Sequence, residues 1–189
     1  MEGSTAVASR LLCGPPWQAN PVADAGHHVN LQAHTPVPEG LTEESLRRLV
    51  SHVLGQEGVN EQWTIGFRFT TDRDIQHLHH EFMDLDSPTD IMTFPYGHTE
   101  DAAFAAIDGS IVGGDIVISA DRASAQAVDA GWTTLDELWF LAIHGMLHLA
   151  GWEDHEDEAR DAMLERQSEL LQEWKAIHYR EMGTGISTG

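Results

Sequence analysis

The chain has 189 residues, with 31 acidic against 10 basic side chains and a formal net charge of −21 when histidine is counted neutral. That balance excludes a protein that coats nucleic acid through a basic surface, because such binding draws on clustered Lys and Arg that release counterions. The length suits one domain with a tail, and the 41% apolar content is enough for a single core. A lone Cys13 cannot form an intrachain disulfide, which fits a reducing, cytoplasmic setting. No run approaches the roughly 18 apolar residues of a membrane span, so no membrane association is expected. Residues 1–16 also lack the basic and apolar regions of a secretory signal.

Residues 1–26 mix Gly, Pro, Ala and Ser without a period and read as a disordered extension. Val29, Leu31 and Ala33 then alternate with polar neighbours, as in a half-buried strand, before Pro36, Pro38 and Gly40 break the chain. Thr42 caps a helix that carries Leu46, Leu49, Val50, Val53 and Leu54 at helical spacing and ends near Gly55. Trp63, Ile65, Phe67 and Phe69 alternate as a second strand. A short helix follows Thr71, with Ile75, Leu78 and Phe82 on its inner face.

Two further strands are expected over 91–94 and 111–118, separated by an irregular stretch over 95–109. The Gly113-Gly114 pair marks either a bulge or a close approach to the backbone. Thr134, with Glu137 three residues later, has the form of a capping box and opens the most informative helix. Over 138–150, 10 of 13 positions are apolar, the exceptions being His144, Gly145 and His148. Such a helix is buried nearly all round, and Gly151 ends it. A last amphipathic helix over about 156–176 presents Met163, Leu164, Leu170, Leu171 and Trp174. The elements make one domain over 27–178, with a flexible tail over 179–189.

His144 and His148, four apart on a helix, differ by about 40° in direction and one turn in height, so both imidazoles reach one ion. Two imidazoles at the apolar end of a buried helix are costly unless hydrogen-bonded or ligated. The run His144-x-x-x-His148-x-x-Gly151-x-x-Asp154 has the ligand spacing of the long metzincin motif, with Asp154 in the third place. His155 competes with it, because imidazole is the commoner zinc ligand while the spacing favours Asp154. Gly145 stands where a zinc peptidase places its glutamate base, which disfavours peptide hydrolysis.

The run from His144 to Trp152 resembles the signature of the YbeY family of rRNA-maturation endoribonucleases. Two other segments carry the same resemblance in the same order: Asp86-Ser-Pro88-Thr89-Asp90 with Phe94-Pro95 behind it, and Gly113-Gly114-Asp115 leading to Ser119. The resemblance covers roughly residues 28–175. It implies an α+β domain with a mixed four-stranded sheet, about five to six helices and a zincin-like histidine helix. It further implies a single-strand-specific, metal-dependent endoribonuclease that matures the 3′ end of small-subunit (16S) rRNA and serves ribosome quality control. The implied partners are rRNA and the small ribosomal subunit or its assembly factors, with no DNA.

The family pattern ends on a histidine where a gap-free match puts Asp154, and the usual downstream methionine then falls on Met163 without an insertion. The implied site is therefore one zinc ion on His144, His148 and Asp154, with the two histidines central to catalysis. Three protein ligands leave an open position, and water there has its pKa lowered towards about 7, which supplies a nucleophile at neutral pH. The family commonly has an arginine, tied to RNA cleavage, where this chain has Met83. Arg68, Arg73 and Arg122 are the candidates to stand in for it spatially. Two alternatives accompany this reading: a metal-dependent hydrolase of another substrate, and a non-catalytic assembly factor with structural zinc, which a fourth protein ligand such as His155 would favour.

Other residues have weaker claims. Thr89 and Asp90 suit either outer support of the ligands or ordinary turn chemistry. Asp115 either lines a cleft or sits at a bulge. His77, His79 and His80 read as a solvated helix face. Glu137 falls seven residues before His144 on the same helix face, within reach of a ligand imidazole, though capping is its simpler role. From residue 153 to 173 there are nine acids and two arginines, a local −7, on the outer face of the last helix.

Overall fold

The computed structural model describes residues 26–96 and 112–184. The extension expected at the start, apart from Gly26, and most of the irregular stretch over 95–109 lie outside them. In chain order the elements are β1 (His28–Ala33), α1 (Glu43–Gln56), β2 (Thr64–Thr70), α2 (Asp72–Met83), β3 (Ile91–Pro95), β4 (Gly113–Ser119), α3 (Ala120–Ala130), α4 (Thr134–Leu149) and α5 (Asp157–Thr184). The last helix outruns its expected end, so residues 179–184 of the expected tail are helical.

The strands form one mixed sheet in the order β1-β2-β4-β3. β1, β2 and β4 run parallel, with Val29 beside Ile65 and Phe67 beside Ile116, while β3 runs antiparallel to β4 with Thr93 beside Ile116. Parallel neighbours need a crossover, and α1 supplies the one between β1 and β2. The register between β2 and β4 runs unbroken from Thr64↔Gly113 to Thr70↔Ser119, so the glycine pair marks no bulge. Gly113 instead sits at φ +125°, where any side chain would strike the main chain of Thr64.

One face of the sheet carries the core. Ile65, Phe67, Phe69, Ile116 and Ile118 meet Leu46 and Leu49 of α1, Leu138, Trp139 and Met146 of α4, and Trp174 of α5, all buried. On the other face a smaller cluster of Ile75, Met92 and Val117 gathers under α2, with Leu78 and Phe94 packed against it. Phe82, expected to face inward, is 60% exposed and meets Phe94 edge-on at 5.0 Å between centroids. Among the described residues α2 is the helix over that face, and its last turn leaves Phe82 at the rim.

α3 has no counterpart among the elements expected from the sequence. Its buried residues are Ala120, Ala123 and Ala127, whose small side chains give little apolar period. Its ends are nonetheless well marked, by Ser119 accepting from the Arg122 N–H at 3.2 Å and by Gly131 at φ +70°. The cap of α4 also differs from expectation. Thr133, not Thr134, accepts from the Asp136 N–H at 3.1 Å, so Glu137 plays no part in the cap. Among the described residues, no helix is long and apolar enough to cross a membrane.

The junction of α1, α4 and α5 holds two buried histidines beside tryptophan. His178 stacks on Trp174 at 5.2 Å, His52 lies 6.4 Å from the same ring, and Trp139 meets it edge-on at 5.6 Å. Burial holds both imidazoles below the usual histidine range, helped by the charge of Arg166 at His52 and of Arg48 at His178. With folded pKa values below the unfolded 6.5, the unfolded chain binds protons first as pH falls. Stability contributed by the neutral pair is therefore complete above pH 6.5 and declines as acid approaches the lowered folded values. Urea midpoints measured from pH 8 to 5 should fall, and His178→Phe should flatten the decline; an unchanged slope in that variant would remove His178 from the account.

Candidate metal centre

The position of α4 follows from its glycine. A Cβ on Gly145 would stand 2.8 Å from Ile116 Cγ2 and 3.1 Å from Ile91 Cδ1, so the helix rests directly on β4 and β3. A glutamate at this place has no room, which removes the base of a zinc peptidase on steric grounds as well as by residue type. His144 and His148 are half-buried on the same helix, with rings at 89° and centroids 4.5 Å apart. Their Nε2 atoms face one another at 3.1 Å.

Beyond Leu149 the chain reverses. Gly151 takes φ +95°, and the Trp152 N–H closes on the Leu147 carbonyl at 3.0 Å. The reversal brings the Trp152 carbonyl to 3.0 Å from His148 Nδ1 and Asp154 Oδ2 to 3.6 Å from His148 Nε2. One ligand atom each from His144, His148 and Asp154 then lies within 4.8 Å of the other two. His155 stays out of this group: its side chain is 86% exposed, and its Nδ1 is 3.9 Å from Asp154 Oδ1.

The hydrogen bonds decide the tautomers. Gln167, 1% exposed on α5, donates its Nε2–H to the Phe140 carbonyl at 2.9 Å, which fixes the amide and aims Oε1 at His144 Nδ1, 3.2 Å away. An acceptor there requires the proton on Nδ1, and the Trp152 carbonyl imposes the same on His148. With each Nδ1 held by an acceptor, the neutral imidazoles turn both Nε2 lone pairs towards each other and towards a carboxylate. Burial, and after it the neighbouring His148, holds His144 below the usual histidine range, so protonation is a poor remedy for the repulsion. A cation among the three relieves it, and two imidazoles with a carboxylate are a donor set suited to zinc.

The loop that returns Asp154 is itself anchored. Trp152 Nε1–H donates to Glu57 Oε2 at 2.8 Å, and Arg166 Nε–H donates to Glu57 Oε1 at 2.9 Å, which ties the loop to the end of α1 and to α5. Asp90 accepts from Gln126 at 3.0 Å and from Thr89 at 3.3 Å. It lies near enough that its charge partly opposes the lowering of His144 and adds to burial in raising Glu137. Glu137 is buried, but the imidazole partner it was placed to meet is held by Gln167 instead. Sequence reasoning missed Gln167, Glu57 and Arg166, because a polar residue on an amphipathic helix carries no mark of which partner it meets.

The remaining candidates lie elsewhere. His79 Nδ1 bonds the Ser87 carbonyl at 2.7 Å and closes the turn after α2, and His77 and His80 are exposed. Met83 is 55% exposed at the end of α2. Of its proposed stand-ins, Arg122 is engaged by Asp72 at 3.3 Å, Arg73 is exposed in the first turn of α2, and Arg68 lines a cleft on the sheet face away from α4. Asp115 is exposed in that cleft and accepts from the Tyr96 hydroxyl at 2.7 Å, an arrangement that pushes the tyrosine up to about 12, with burial the larger cause.

Fold and site together define an α+β protein built on a zincin-like histidine helix over a mixed sheet. More particularly, the chain belongs to the endoribonuclease YbeY family, whose model matches residues 28–175. It is 34% identical over 131 residues to Endoribonuclease YbeY of Oceanobacillus iheyensis, covering 68% of this chain and 85% of that one. The protein of the same name from Mycolicibacterium vanbaalenii is 36% identical over 138 residues, covering 72% and 75%. In fold, the chain is similar to the solution structure of TM1509 from Thermotoga maritima, with a TM-score of 0.58 and 24% identity over 84% of this chain and 96% of that one.

Proposed function

We propose that the protein is a single-strand-specific, metal-dependent endoribonuclease that holds one zinc ion on His144, His148 and Asp154. Its task on this reading is maturation of the 3′ end of small-subunit rRNA and ribosome quality control in the cytoplasm, with the small subunit or its assembly factors as partner. The observation that supports the metal part is the convergence of both imidazole Nε2 atoms and the Asp154 carboxylate, with each Nδ1 held by an acceptor. Family membership carries the RNA part.

A bound zinc ion supplies Lewis acidity towards a phosphodiester oxygen and lowers the pKa of coordinated water. The chain's own residues hold the rest in place: Gln167 and the Trp152 carbonyl keep the imidazole protons on Nδ1, and the Glu57–Trp152 bond fixes the loop carrying Asp154. That His155 points into solvent favours an open coordination position over a closed structural site.

The test uses the full chain with a labelled single-stranded rRNA fragment, the same sequence as a duplex, and a peptide. Cleavage at internal positions of the single strand alone, lost with chelator and restored by zinc, is expected. Activity unaffected by chelator would overturn the metal assignment, and cleavage of the duplex at an equal rate would overturn the strand preference. A Met83→Arg variant run alongside is expected to cleave faster if this position handles substrate.

A further inference from the structure

On the sheet face opposite α4, the structure has a cleft of about 570 Å³ that the metal centre does not use. Its floor is formed by β1, β2 and β4, and its wall by α2 and β3. Three features set its chemistry. The Phe82 ring is 60% exposed and braced edge-on by Phe94, leaving an aromatic face open to solvent. Arg68 points a guanidinium into the cleft and makes no ion pair or hydrogen bond among the described residues, although the chain carries a charge of −21. Asn30 and Gln32, exposed on the outermost strand, offer two amide side chains without partners among the described residues.

We infer that this cleft is a nucleotide subsite for single-stranded RNA, with an unstacked base on the Phe82 ring, the Asn30 and Gln32 amides at its polar edge, and a phosphate at Arg68. The inference rests on the endoribonuclease reading and adds to it a place for RNA away from the cleaved bond. An aromatic face beside a free guanidinium and amides matches how splayed bases are held, by stacking and edge hydrogen bonds, with a cation for the backbone. Among the described residues the carboxylate lining the cleft is Asp115, whose Oδ1 accepts from the Tyr96 hydroxyl at 2.7 Å. β3 is the edge strand opposite β1 among the described residues, with Ile91 packed towards α4 and Phe94 towards α2. A single strand can offer Phe82 an unstacked base, whereas a duplex keeps its base faces stacked.

The test is equilibrium binding of a fluorescein-labelled single-stranded oligoribonucleotide to the zinc-loaded full chain, followed by anisotropy at one fixed salt concentration. Phe82→Ala and Arg68→Gln are each expected to weaken binding about tenfold or more while zinc content stays at the parent's level. Arg68→Lys, which keeps the charge, is expected to recover part of the loss. Phe82 lies at the surface, so its removal leaves the core intact, and a melting curve confirms this. Binding within twofold of the parent in both variants overturns the subsite while leaving the nuclease reading standing. If the parent itself neither binds nor cleaves the oligoribonucleotide, the nuclease reading falls and takes the subsite with it.

Discussion

His144→Ala protein is expected to emerge from purification without zinc and to leave single-stranded RNA uncut, with its circular dichroism spectrum unchanged. The alanine removes one of three donors and leaves the His148 and Asp154 pair too few to hold the ion at ordinary concentrations. Partners outside the ligand set are worth roughly 10–100-fold in metal affinity, and a ligand is worth more than that. Gln167→Leu provides the graded control. It keeps side-chain volume while withdrawing the acceptor from His144 Nδ1, so zinc affinity should fall within that 10–100-fold range and cleavage should return at high zinc. Zinc content by atomic absorption, with dissociation constants by chelator competition, separates the two variants. Chelator-resistant cleavage by His144→Ala would end the proposal.

Gly145→Glu is expected to fail for a different reason, through the fold. A side chain there must enter space held by Ile116 and Ile91, at the contact where α4 rests on the sheet. Overpacking of this kind costs about 1–3 kcal/mol, and a carboxylate buried without a partner adds to it. A total of about 3 kcal/mol should lower the melting temperature by roughly 6–12 °C in a domain of this size. The variant is of interest because it restores the residue type a zinc peptidase uses. It should gain no peptidase activity, and a melting temperature equal to the parent's would show that α4 does not bear on the sheet as described.

Much of the fold was legible because its elements bury strong periodic patterns. Trp63, Ile65, Phe67 and Phe69 are all buried, as their alternation requires, and α4 is enclosed nearly all round as its composition demands. The clustering of His144, His148 and Asp154 was legible for a related reason: a helix places i and i+4 together, and one glycine returns the chain within a few residues. What escaped notice had weak local signals. α3 buries alanines, whose contrast with polar neighbours is slight. The cap of α4 fell on the first of two adjacent threonines, and nothing local distinguishes them. Phe82 was placed inward by its period, but among the described residues that face of the sheet has one helix over it, and the ring ends at a rim. Gln167 meets His144 across 23 residues of sequence, a contact that follows only from how α5 crosses α4.

The three converging side chains of the candidate metal centre lie within eleven consecutive residues, 144–154. Closing so short a loop costs little chain entropy, so the end of α4 with its glycine turn holds the complete donor set as one local unit. The distant parts of the molecule contribute orientation: Gln167 from α5 and, through Trp152, Glu57 from α1. Loosening α5 therefore leaves the three donors adjacent in the chain while releasing the constraint on one imidazole. The donors of the proposed centre thus come from one stretch of the polypeptide and their orientation from others, and substitutions along α5 should loosen the held imidazole, and with it affinity for an ion, without dispersing the three donors.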